Sequence, residues 1–107
     1  MVSETTTRRA TLASAQAMLM FFNFTFGDRG WMPALYGSTL EVGEGRDIDL
    51  FLVQLPDSDC DQEEIAEWLV SLGLDVVMDE ARGSNLRCLA GTFRGYVLDI
   101  TLVAATT

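Results

Sequence analysis

The run Asp47-Ile48-Asp49-Leu50-Phe51-Leu52-Val53, with Pro56 just beyond it, constrains this chain more than any other stretch. Its β-branched and aromatic residues mark a strand. Side chains alternate between the faces of a strand. Asp47 and Asp49 therefore project together, while Ile48, Leu50 and Leu52 project the other way, toward a helix-covered core. Aspartate is disfavoured inside strands. Two carboxylates one pleat apart repel, which costs stability unless a cation or a proton intervenes. Solubility alone gives no reason to put them there. The run Tyr96-Val97-Leu98-Asp99-Ile100-Thr101-Leu102-Val103 repeats the anomaly. Leu98, Ile100 and Leu102 share one face, and Asp99 shares the other with Val97 and Thr101. If the two strands are neighbours, three carboxylates meet on one patch.

The rest of the chain supplies elements to carry these strands. Leu12, Ala15, Leu19, Phe22 and Phe26 step by three and four, which predicts a helix over Arg8 to about Phe24. Gly27-Asp28-Arg29-Gly30 breaks it with a turn. Trp31 to Tyr36 is a short apolar run whose Pro33 suits an edge strand. After the strand ending near Pro56, Asp61 and Glu64 form a capping box. They open a helix with Ile65, Trp68, Leu69 and Leu72 as its buried stripe. Gly73 sits where a left-handed cap is wanted. Leu74 to Asp79 alternates like a strand, and Arg82-Gly83-Ser84-Asn85 reads as a turn. Leu86 to Phe93 and Tyr96 to Val103 are strands joined at Arg94-Gly95, a hairpin turn. This order predicts an α+β sandwich: a mixed, mostly antiparallel sheet of about four to five strands covered by two or three helices. A chain of 107 residues suits a single domain over 1–107, with 1–7 and 104–107 as frayed ends.

Composition closes off several chemistries. The chain has no His and no Lys, so Ser-His-Asp and Cys-His catalysis and histidine zinc sites are excluded. Two cysteines, Cys60 and Cys88, make neither a Cys₄ site nor a disulfide framework. Cys60 reads as a loop residue and Cys88 as a strand residue, both reduced in a cytoplasmic protein. The formal charge of −9 repels phosphate backbones, so binding to nucleic acid is disfavoured. The apolar stretch from Ala10 to Phe26 is interrupted by Ser14, Gln16, Asn23 and Thr25, which leaves no membrane span.

Three oxygen-bearing ligands at Asp47, Asp49 and Asp99 suit Mg²⁺ or Mn²⁺, with substrate phosphates completing the octahedron. Two ions about 3.5–4 Å apart would activate an attacking hydroxyl and stabilise a leaving pyrophosphate. Gly37-Ser38, at the end of the preceding strand, reads as a phosphate cradle. The glycine permits close backbone approach, and the hydroxyl with neighbouring N–H groups can bond a triphosphate. Arg46, next to the carboxylates, would offset phosphate charge.

At these residues the sequence resembles the nucleotidyltransferase superfamily that includes DNA polymerase beta. That signature is a hydrophobic residue and Gly-Ser, a spacer, Asp-x-Asp within a strand, and a later in-strand acid. Here these are Tyr36-Gly37-Ser38, Asp47-Ile48-Asp49 and Asp99. The small size and the leading helix look most like the minimal nucleotidyltransferases. The resemblance implies that Asp47 and Asp49 bind both metal ions. It also implies that Asp99 helps deprotonate the acceptor, and that Gly37 and Ser38 hold the nucleoside triphosphate. The spacer is slightly short for the family, and Thr39 and Leu40 stand where a basic residue often follows Gly-Ser.

The function expected is transfer of a nucleoside monophosphate, AMP from ATP foremost, to a hydroxyl of a protein or small-molecule acceptor, with release of pyrophosphate. Two other readings compete. One is a non-catalytic binding module on the same fold that docks a protein partner such as a toxin subunit or a host protein, with the cluster Phe21, Phe22, Phe24 and Phe26 as a partner surface; separately, an edge strand and that Phe-rich face would suit a homodimer. The other is an acidic mimic of nucleic acid, which rests on charge alone.

Overall fold

The computed structural model describes residues 10–36, 44–45 and 47–105. Ala10–Thr11 (β1) is a two-residue strand paired antiparallel with Glu44–Gly45 (β3). Thr11 then caps α1, Leu12–Phe26: its hydroxyl accepts from the Ser14 N–H at 3.1 Å, and Ser14 Oγ accepts from the Thr11 N–H at 2.8 Å. The helix thus starts later than the spacing at Arg8 predicts, because Ala10 and Thr11 are engaged in the pairing with β3. Ala15, Met18, Phe22 and Phe26 are its buried stripe. Leu12, in the first turn, is 37% exposed, and Leu19 is partly buried against the core.

A single turn of 3₁₀ helix, Gly27–Arg29, ends at Gly30, which adopts φ 79°. A side chain here would collide with Ser58, whose hydroxyl donates to the Arg29 carbonyl. Only glycine meets both demands. The chain continues into β2 (Trp31–Tyr36), β4 (Asp47–Gln54), α2 (Gln62–Leu72), β5 (Asp75–Arg82), β6 (Leu86–Phe93) and β7 (Tyr96–Val103). Among the described residues, β2-β4-β7-β6-β5 form a five-stranded sheet in that order. β4 and β7 run parallel, and the remaining neighbours are antiparallel. Pro33 lies on β2, an edge strand, as its missing N–H demands.

α2 opens with the predicted capping box, in which Asp61 accepts from the Glu64 N–H at 3.0 Å and Glu64 from the Asp61 N–H at 3.1 Å. It closes at Gly73 with φ 117°. Both helices pack on the face carrying Ile48, Leu50, Leu52, Leu98, Ile100 and Leu102, all essentially inaccessible to solvent. Ile65 and Leu69 from α2 and Phe22 and Phe26 from α1 complete that layer. Trp31 is fully buried and donates its Nε1–H to the Cys60 carbonyl at 2.7 Å. Trp68 departs from the expected stripe. It is 41% exposed, with the Arg29 guanidinium 4.2 Å from the centre of its ring, and Ala66 takes the buried position. The phenylalanine cluster divides in the same way. Phe22 and Phe26 are core, Phe21 packs against it, and only Phe24 of the four stands out into solvent.

Candidate functional site

The parallel pairing of β4 with β7 sets Asp47 opposite Val97 and Asp49 opposite Asp99. Paired strands lie about 4.8 Å apart, so the carboxylates of Asp49 and Asp99 leave the sheet as direct neighbours. Asp47 is one pleat along β4 on the same face. The carboxylate row occupies the face opposite to the one the helices cover. Alternation produces this arrangement: Ile48, Leu50, Leu98 and Ile100 must enter the core, and that forces 47, 49, 97 and 99 outward.

Asp49 and Asp99 are half-buried, and their surroundings push both carboxyls up from the ordinary aspartate value. For Asp49 the largest cause is desolvation, followed by repulsion from Asp99 and then Asp47. For Asp99 desolvation again leads, followed by repulsion from Asp47, with Arg82 acting in the opposite direction. Three acids thus act on one another electrostatically at one end of the open face. That donor chemistry, hard oxygens with excess negative charge, matches a divalent cation. As the side chains stand, no group of three His, Cys, Asp or Glu residues among the described residues is arranged to hold a metal ion.

Gly37, Ser38 and Arg46 lie outside the described residues. Tyr36, the last residue of β2, is the register partner of Asp49.

Beyond the carboxylates the open face is apolar along β4 and β2, while Thr101 on β7 and Glu80 and Arg82 on β5 stand in the same cross-strand rows. Phe51, Val53 and Val103 follow along β4 and β7, with Met32 on β2 and Leu86 on β6 in the same rows. Met32 is 41% exposed and Val53 37%, and no described helix lies over them. The sequence carries this signal in the odd-numbered positions Phe51 and Val53, which alternation assigns to the aspartate face. The reading from sequence concentrated on the phenylalanines of α1 instead.

Among the described residues no helix is long and apolar enough to cross a membrane. No protein-family model and no curated protein matches the sequence. Solved structures do. A ternary complex of Leishmania infantum polymerase beta superposes over 94% of this chain and 45% of its own, at a TM-score of 0.63 and 13% identity. The fold is nucleotidyltransferase-like. The chain spans less than half the length of that polymerase, and at this identity the likeness is one of architecture.

Proposed function

We propose that this chain is a metal-dependent nucleotidyltransferase that moves a nucleoside monophosphate, AMP from ATP foremost, to a hydroxyl of a protein or small-molecule acceptor, releasing pyrophosphate. The observation that carries the reading is the register of β4 against β7, which makes Asp49 and Asp99 neighbours with Asp47 beside them on the open face of a nucleotidyltransferase-like sheet.

Asp47 and Asp49 would hold Mg²⁺ or Mn²⁺, whose charge would organise the triphosphate and stabilise the departing pyrophosphate. Asp99 has a raised proton affinity, caused first by desolvation and then by its acidic neighbour. A carboxylate in that state is the better base, which suits it to take the proton of an attacking hydroxyl. Gly37, Ser38 and Arg46 are proposed as the phosphate-binding groups on the strength of the sequence motif. The acceptor would approach over the apolar rows of Phe51, Val53 and Val103. The net charge of −9 disfavours a nucleic-acid acceptor.

The test is incubation with labelled ATP, Mg²⁺ and candidate acceptors, the chain itself included. Label transfer is expected from wild type and not from Asp47→Asn/Asp49→Asn. Equal labelling by the two removes the reading. The apolar residues of β2 and β4 that no described helix covers also favour a second reading, a binding module that keeps the fold without turnover. A stoichiometric protein partner and no Mg²⁺-dependent nucleotide binding by calorimetry would select it.

A further inference from the structure

A cavity of about 310 Å³ opens between α1 and the β6–β7 hairpin, on the helix-covered side of the sheet. Ala17, Met18, Phe21, Phe93, Arg94 and Tyr96 are among its lining residues. The size is at the lower end of what small-molecule sites show. Its walls are mostly apolar; the Ser14 hydroxyl also lines it and is engaged with Thr11 in the cap of α1.

Arg94 is unusual in two independent ways. It is the one non-glycine residue of the described chain with a positive φ, 54°. That conformation carries a steric cost that most residues avoid and that a hairpin could avoid with Asn or Gly. The conformation sets its guanidinium 5.1 Å from the centre of the Phe21 ring and 5.2 Å from that of Phe93. Among the described residues it also has no acidic partner. Arg87 is held by both oxygens of Asp79 and lies 3.6 Å from Glu63, and Arg82 lies 3.6 Å from Glu80. Arg29 donates to the Thr25 carbonyl and stacks on Trp68. Arg94 alone among the described arginines has rings for neighbours and neither a carboxylate nor a carbonyl. In a chain with sixteen acidic residues and seven basic ones, that leaves a fork of N–H donors with no described carboxylate or carbonyl partner beside an aromatic cavity.

We propose that this cavity is a binding site for a small aryl carboxylate. Its ring would lie among Met18, Phe21, Phe93 and Tyr96, and its carboxylate would take paired hydrogen bonds from Arg94. A monoanion is favoured over phosphate because repulsion from the net negative chain grows with ligand charge. An apolar body is favoured because Met18 and the rings of Phe21, Phe93 and Tyr96 make up most of the lining beside Arg94. The site is separate from the aspartates. It lies at the same end of the sheet, since Tyr96 precedes Val97, the register partner of Asp47, but on the opposite side.

The test is titration of ¹⁵N-labelled protein with benzoate, and in parallel with benzyl alcohol and inorganic phosphate, followed by amide shifts. Saturable benzoate shifts confined to Ala17, Phe21, Arg94 and Tyr96 are expected, with benzyl alcohol about tenfold weaker or worse once the charged hydrogen bonds are lost. Arg94→Asn, which tolerates the left-handed backbone, should lose benzoate to the same degree while keeping the wild-type spectrum elsewhere. Asp47→Asn/Asp49→Asn should bind benzoate unchanged, so the outcome is independent of the catalytic reading. Equal response to benzoate and benzyl alcohol, a response to phosphate as strong as to benzoate, undiminished binding by Arg94→Asn, or no saturable shift in wild type would each overturn the proposal. The comparison among the probes on wild type stands even if Arg94→Asn fails to fold.

Discussion

Asp49 faces Asp99 across a parallel pair, with solvent on one side and apolar neighbours on the other. Its raised proton affinity means that ionising it costs the folded state more than the unfolded one. The sign follows directly. Its cost is absent below the ordinary value of 3.8, grows as pH rises through the higher folded-state value, and is complete above it. Asp49→Asn should therefore stabilise the metal-free protein at neutral pH, by roughly 0.5–1 kcal/mol on the scale of opposed like charges in sheets. The gain should vanish toward pH 3 in urea melts. A gain that grew on acidification would contradict the assignment. Gly91 presents the reverse case. A Cβ on it would collide with the Asp75 carbonyl, where β5 shifts register between Val76 and Met78. Gly91→Ala should cost roughly 1–3 kcal/mol, the scale of overpacking, because the obstacle is backbone and cannot rotate away.

At the scale of elements, α2 depends on its cap. Asp61→Ala removes the acceptor for the Glu64 N–H and should lower stability by about 1 kcal/mol, read as a reduced urea midpoint at unchanged slope. Trp31 fastens β2 to the loop before α2. Trp31→Phe keeps the buried ring but loses the bond to the Cys60 carbonyl, which still accepts from Gln54 Nε2 at 3.0 Å. The cost should accordingly stay near about 1 kcal/mol rather than the larger penalty of a wholly orphaned carbonyl.

For the molecule as a whole, sixteen acidic residues against seven basic ones make self-repulsion a standing cost. Monovalent salt should raise the melting temperature of wild type and of Asp47→Asn/Asp49→Asn alike, because screening acts on the whole surface. Millimolar Mg²⁺ should raise it further in wild type only, since a cation bound to the folded state adds stability by mass action. Equal Mg²⁺ responses in the two proteins, measured by calorimetry at fixed ionic strength, would assign the effect to screening and remove the proposed metal role.

Much of this was legible in the chain itself. Period-two alternation in 47–53 and 96–103 assigned the aspartates to one face and the leucines to the other. Asp61 with Glu64, Gly73 and Arg94-Gly95 marked their cap and turns by local hydrogen-bond and φ requirements that act over a few residues. Pro33 announced an edge because a missing N–H is a property of one residue. What needed the tertiary structure is non-local. Nothing in the sequence places β7 beside β4 in parallel, with 99 against 49, because register between strands fifty residues apart is decided by how the whole core closes. Trp68 was assigned to the core from helical spacing, yet it lies out under Arg29, because the sheet accommodates Ala66 where the stripe suggested an indole. The position of the Arg94 guanidinium, against rings and away from every described acid, is also a tertiary fact, because it depends on where the other described segments lie.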